Sequence, residues 1–304
     1  MLIIAMVCIL ADPKSRFESE YSSEIKELQR TFSDVRGIAI VNVIKNGGKA
    51  VPTSYHFACG SGRRKVDFDR LVLLPSGKSI LKSYGYAEID GRNIEVVRAG
   101  PTDPFSVRGI GDEDPMRVAA FNAIFGDFLN APWGFGGYEI SEAFAKGWLS
   151  ITEAHEIEES GRTLIEVTFR QTTTTKPTYY RAVFDPTLHW AIARASQWDE
   201  NPDNPSDRYE ATYSPTASGS FYLKSIHRWG RSKREQICEF DQVEFKQTPV
   251  SEFTLEFYGL KSPPLPQTGP NYKLIAAVLT AAVLLLFGAW LTRRLAIRHE
   301  LHTV

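Results

Sequence analysis

TLIEVTFRQTTTTKPTYYRAVFD, residues Thr163–Asp185, carries the pattern that decides the fold. Two runs rich in β-branched and aromatic residues, Thr163–Thr173 and Thr178–Asp185, flank a short polar turn containing Pro177, which reads as two strands joined by a tight connection. Comparable runs lie on both sides: Trp148–His155 before, and His189–Gln197, Arg208–Ser214, Phe221–Trp229 and Ile237–Phe245 after. Short strands in such close succession predict an antiparallel meander. The first third reads the same way. VRGIAIVNVI (Val35–Ile44) ends at Asn46-Gly47-Gly48, a strong hairpin signal, and returns over Val51–Ala58. Arg64–Leu74 alternates, turns at Pro75-Ser76-Gly77 and returns over Ser79–Ile89. Asp90-Gly91 then turns the chain into Asn93–Val97.

Two segments break the strand pattern. SEYSSEIKELQRT (Ser19–Thr31) has helix formers at helical spacing, with Ser23 able to cap and Ile25 and Leu28 one turn apart. From Asp112 the apolar period changes again: Asp114 and Pro115 read as N-cap and first helical residue, and Met116, Val118, Ala119, Phe121, Ile124, Phe125 and Phe128 follow at helical spacing. The aromatic face continues through Trp133-Gly134-Phe135-Gly136-Gly137-Tyr138, and a further helix is predicted over Ile140–Lys146. A strongly apolar helical segment between strands reads as a plug packed on the sheet. Met116, Phe121, Ile124, Phe125, Phe128 and Trp133 are its candidate plug or ligand-cavity residues. The predicted class is mainly β, of α+β type.

The chain ends differently. LIAAVLTAAVLLLFGAWLT (Leu274–Thr292) is free of charge and, at about 1.5 Å per residue, is roughly 28 Å long as a helix, close to a hydrocarbon core. Trp290 and Tyr272 sit near its ends, where amphipathic rings favour headgroups. Arg293, Arg294 and Arg298 follow at once, so the positive-inside bias predicts a cytoplasmic tail and an extracytoplasmic body. At the other terminus LIIAMVCILA leads to Asp12-Pro13-Lys14 and reads as the apolar core of a secretory signal. The expected organisation is a signal-like segment at 1–11, a β-rich extracytoplasmic domain at 18–258, a Pro-rich linker at 259–273, one transmembrane helix at 274–292 and a tail at 293–304. The lipid bilayer is the expected partner, in a bacterial cytoplasmic membrane.

Net charge is −1, with 35 basic and 36 acidic residues, which gives no reason to expect a nucleic-acid partner. Cys59 and Cys238 are left once Cys8 goes with the leader; they either pair in an oxidising compartment or pack as separate thiols. Motifs of chemistry fail on spacing. Gly77-Lys78-Ser79 lacks the glycine five positions earlier, where Val72 stands, so it cannot wrap a phosphate. DENPDNPSD (Asp199–Asp207) lacks the regular oxygen spacing of a calcium loop. His155-Glu156 has no second histidine one turn on, and Gly60-Ser61-Gly62 is too short for a nucleophile elbow, with His56 nearby read as a packed imidazole. The residues suggest no cofactor, no metal and no enzyme.

An N-terminal helix, strands with a helical plug, and a meander ending in FDQVEFKQTPVSEFTLEFYG (Phe240–Gly259) resemble bacterial lipoprotein-carrier domains of the LolA/LolB/LppX type. The phrase Ser251-Glu252-Phe253-Thr254-Leu255 carries the resemblance most directly, over residues 20 to 258. It implies a curved antiparallel sheet or half-barrel around an apolar cavity, with helices as a lid, and a lipid or acyl ligand. A body fixed by a C-terminal span cannot shuttle, so binding or sensing is the expected role. Separately, Leu265-Pro266-Gln267-Thr268-Gly269 resembles the LPxTG sorting signal of sortase substrates, which implies cleavage between Thr268 and Gly269. The alternative to ligand binding is a structural or interaction protein of the envelope whose barrel core is filled by its own aromatics, with sortase anchoring as one form of it; an enclosed apolar void would favour ligand binding and a filled interior this alternative.

Overall fold

The computed structural model describes residues 12–261 apart from 46–47, 49, 90–91, 112–118, 217–218 and 231–233. The signal-like segment, most of the linker, the sorting-signal motif, the 274–292 stretch and the tail lie outside the described residues. Among the described residues no helix is long and apolar enough to cross a membrane.

Helix α1 (Pro13–Phe32) opens the domain. It starts six residues before the expected Ser19 because Asp12 is its N-cap, accepting from the Ser15 amide at 3.3 Å, and Pro13 sits at the first turn where a missing N–H costs nothing. Ser23 lies inside the helix and donates to the Glu20 carbonyl instead of capping. Six strands follow: β1 (Val35–Lys45), β2 (Val51–Gly60), β3 (Arg63–Leu73), β4 (Ser79–Ile89), β5 (Arg92–Arg98) and β6 (Ser106–Gly111). The plug comes next, as α2 (Ala119–Phe121) running into a π-helical turn (Asn122–Phe128), then the ribbon β7 (Gly134–Phe135) and β8 (Tyr138–Glu139), and α3 (Ile140–Ala145). The meander is β9 (Leu149–Glu159), β10 (Arg162–Gln171), β11 (Tyr179–Asp185), β12 (Ala191–Trp198), β13 (Asp207–Pro215), β14 (Phe221–Gly230) and β15 (Arg234–Phe245).

All but β7 and β8 form one 13-stranded antiparallel sheet in the order β6-β5-β4-β3-β2-β1-β15-β14-β13-β12-β11-β10-β9. The two meanders are joined by β1 against β15, paired from Val35↔Phe245 to Lys45↔Arg234 with one irregularity at Arg36/Ile38. A single buried cluster takes side chains from β3 at one end and β9 at the other. Nine strand spacings of about 4.8 Å would separate these by about 43 Å in a flat sheet, so the sheet must wrap round its contents.

The contents are α1 and the plug. Phe17 is fully buried and meets Phe184, Trp190 and Phe169 at 5.0, 5.6 and 5.7 Å between ring centroids. At the other end of the helix, Phe32 packs edge-on against Phe245 and Trp133. Trp190 holds a left-handed backbone (φ 60°) directly after His189 (φ 51°), a strained pair fixed by the burial of the indole and by the Trp190 amide donating to the Asp185 carbonyl at 3.0 Å.

The convex face is covered by the residues after β15. Phe253, Leu255 and Tyr258 are buried there, over β3–β5, with Val96. Tyr258 donates to Asp67 at 2.6 Å, and its ring lies so close over Gly85 that a Cβ at that position would fall 2.7 Å from it. Nearly buried Lys65 pairs with Asp67 at 3.2 Å beneath the Phe257 ring. Beyond this strap the β3–β4 hairpin stands free: β2 pairs with β3 only as far as Phe68, and β5 pairs with β4 only from Ser83. Leu71, Leu73 and Leu81 on the convex face of that ribbon are 67, 71 and 44% exposed.

Burial holds the hydroxyls of Tyr21, Tyr180, Tyr209, Tyr213 and Tyr258 protonated beyond the ordinary tyrosine range. The unfolded chain releases these protons near pH 10, so their contribution to stability is whole below that pH and is lost as pH rises above it. The buried thiols of Cys59 and Cys238 add to this from about pH 9, so urea midpoints followed by circular dichroism should begin to fall there and fall steeply by about pH 11, with tyrosinate absorbance rising in step with unfolding.

Candidate functional site

Of the six plug residues picked from the sequence, Phe121, Ile124, Phe125, Phe128 and Trp133 converge in the interior, and Met116 lies outside the described residues. The expected regular helix is instead a short α turn followed by a π turn, in which the Leu129 amide donates to the Ile124 carbonyl at 2.7 Å. Two buried tyrosines hold the plug. Tyr209 of β13 donates to the Ala131 carbonyl at 2.6 Å and Tyr21 of α1 donates to that of Trp133 at 3.5 Å. Phe121, Ile124 and Phe128 are at most 1% exposed. They are core, filling the half-barrel rather than lining a void.

Space remains to either side of the plug. A pocket of about 310 Å³ is lined by Phe125 and Trp133 together with Phe32, Val35, Cys59 and Arg64. Arg64 lies over the rings of Phe121 and Phe125 at 5.2 and 5.6 Å and is bound to Glu88 at 2.7 Å. A larger cleft of about 700 Å³ opens between α1 and β12–β14, lined by Leu28, Ala211, Tyr213 and Phe221 and rimmed by Arg162 and His189. Its buried carboxylate, Asp185, already accepts from Arg162 at 2.7 Å, from the Thr187 amide at 3.0 Å and from the Thr187 hydroxyl at 2.6 Å. With its oxygens engaged it is a structural cap for the 186–190 turn, not a free base.

The sequence reading missed an aromatic row. On the concave face of β2–β4, Tyr55 opposes Phe68 and Phe68 opposes Tyr84, with ring centroids 5.1 and 5.2 Å apart, and Tyr86 lies 6.0 Å from Phe68. All four rings are only partly buried. The register was available from the Pro75-Ser76-Gly77 turn, which places Phe68 opposite Tyr84; whether that face met the plug or stayed open was not.

The cysteines do not pair. Cys59 and Cys238 are both free thiols. Cys238 opposes Val41, whereas Cys59 follows Ala58, the partner of Arg36, and so lies level with Val35; the two are some six residues apart along the sheet, on the order of 20 Å and beyond disulfide reach. Burial pushes the Cys59 thiol up to about 12, and that of Cys238 up also. His56, expected as a packed imidazole, is exposed on the convex face. Among the described residues no group of three His, Cys, Asp or Glu side chains is placed to hold a metal ion.

No protein-family model matches the chain, and no curated protein does. Solved structures that resemble it include a domain assigned to outer membrane lipoprotein sorting from Vibrio parahaemolyticus (8% identity, 79% of this chain and 98% of that one, TM-score 0.43). A DUF1329 family protein from Desulfovibrio piger (10%, 81% and 99%, 0.43) and a LolA superfamily protein from Nitrosomonas europaea (7%, 78% and 99%, 0.43) are similar to the same degree. At such scores the likeness is loose, and the fold rests on the strand order and registers given above.

Two outcomes follow. Phe121→Ala should lower stability by about 3–5 kcal/mol in urea denaturation, since it opens a cavity in a filled core. Burial disfavours the thiolate at both cysteines, so peptide mapping after iodoacetamide at pH 8 should find positions 59 and 238 unmodified in the native protein and fully alkylated in urea.

Proposed function

We propose that this protein binds a hydrophobic ligand, such as a lipid or acyl chain, on the concave face of its sheet, and that it does so while fixed to a membrane by the 274–292 stretch. One observation carries the binding reading: α1 and the plug fill the interior from β9 to β3, yet the aromatic row Tyr55-Phe68-Tyr84-Tyr86 is left partly exposed. Rings in such a row would normally be covered, because each Phe or Tyr withdraws 150–250 Å² from water when buried. An apolar ligand lying along them would complete that burial. The domain then acts by binding or sensing, with no bond made or broken.

The membrane reading rests on the uncharged run Leu274–Thr292 and the arginines after it.

Residues 12–260 contain every described helix and strand and belong to one compact unit. Purified as a soluble body, they should carry extractable lipid or enhance the fluorescence of a dansylated fatty acid, and Phe68→Ala with Tyr84→Ala should reduce that binding at least tenfold. An empty extract with no enhancement would sink the binding reading. The tether is tested separately. Protease added to spheroplasts should degrade the body and spare the last dozen residues; the reverse pattern would invert the orientation.

A further inference from the structure

The concave face does not end at the aromatic row. One step further towards the tip of the free ribbon, in the pairing register, Arg70 of β3 stands directly opposite Lys82 of β4. Like charges directly opposed across an antiparallel pair weaken the ribbon. Arg70 points to the same face as Phe68 and Val66, two and four residues before it, and Lys82 to the same face as Tyr84 and Tyr86. Arg234, at the start of β15, faces the same way as Cys238 and Phe240, and its charge and that of Arg70 both act on the Tyr55 hydroxyl. Arg70 and Lys82 therefore stand just beyond one end of the row, with Arg234 further along the sheet opposite Lys45.

The acids on this side of the sheet are already engaged. Glu88 is bound to Arg64, and Glu95 accepts from Tyr86 at 2.9 Å and from Arg108 at 2.8 Å. Asp69 opposes Ser83 and so points to the convex face. Among the described residues no carboxylate lies within ion-pair distance of Arg70, Lys82 or Arg234. Other cations in the domain, such as Lys65, Arg194 and Arg228, do have such partners. A hydrophobic strip bounded at one end by uncompensated positive charge has the polarity of an amphiphile with an anionic head.

We infer that the ligand of the aromatic row is an anionic amphiphile carrying a phosphate headgroup, its apolar part lying on Tyr55, Phe68, Tyr84 and Tyr86 and its head held by Arg70 and Lys82, with Arg234 as the third charge. This rests on the binding function proposed above and adds the headgroup to it. Phosphate offers several acceptor oxygens, enough for the guanidinium fork and the ammonium at once, and it removes the repulsion between them.

The test uses the full chain in phosphatidylcholine nanodiscs, with empty discs subtracted, and three probes: octyl phosphate, octanol and inorganic phosphate. Octyl phosphate should bind at least tenfold more tightly than either of the others. Arg70→Gln with Lys82→Gln should abolish that advantage over octanol; an unchanged circular dichroism spectrum and melting temperature confirm the fold. Octyl phosphate binding undiminished in the double variant would overturn the headgroup assignment. So would inorganic phosphate binding as tightly as octyl phosphate, which would make the site one for charge alone. Octanol and octyl phosphate binding equally well would remove the headgroup while sparing the hydrophobic reading, and binding of neither would remove both.

Discussion

The pairing of β1 with β15 is the constraint on which the rest of the structure depends. Each strand is the inner end of its own meander, and each would otherwise present a long row of unpaired amides and carbonyls. Joined from Val35↔Phe245 to Lys45↔Arg234, they turn two antiparallel sheets into one. That union lets a single curve enclose α1 and the plug. It also sets their positions: Phe32, at the end of α1, packs on Phe245 at the end of β15, while Phe17 is held by β10, β11 and Trp190. The helix is therefore clamped at both ends by strands from the second meander, before the chain enters β1.

From that geometry follows an asymmetry between the two halves of the concave face. Over β9–β15 the cover is dense, with Phe169, Phe184, Ile165 and Ile192 all fully buried. Over β2–β4 the plug reaches Arg64, and beyond it the rings are half-covered and then give way to cations with no carboxylate partner among the described residues. The function proposed for this chain sits in the less completed half. The convex strap of Phe253, Leu255 and Tyr258 serves that half differently: it stiffens β3–β5 from behind, with Lys65, Asp67 and Tyr258 bound together, so that the free hairpin extends from a firm base.

Most of the strands were legible in the sequence, because alternation and turn chemistry are local. Ser79–Ile89 emerged with the expected bounds, and Thr178–Asp185 differs from the observed strand by one residue. What was not legible has physical reasons. Strand β6 (Ser106–Gly111) is short and contains two glycines, which blur any period. The start of α1 was hidden because Asp12-Pro13 reads equally as the end of an apolar leader and as an N-cap with proline. The π turn at Asn122–Phe128 keeps the apolar content of an α-helix and changes only its hydrogen bonding. The plug residues read as apolar in the sequence, but side-chain type cannot say whether a ring fills a core or borders a cavity. The site residues on β2–β4 depended on strand register and on the reach of the plug, which are tertiary facts. The β1–β15 pairing itself joins opposite ends of the domain, and nothing in either strand names its partner.

Hydrogen exchange followed by mass spectrometry through a series of urea concentrations tests that pairing most directly. If β1 and β15 hold the two meanders together, peptides spanning 35–45 and 234–245 exchange last, with one common opening free energy that falls with urea as global unfolding does. Rapid exchange in either peptide, or first and second meanders opening at separate urea concentrations with no shared slowest class, would contradict the account.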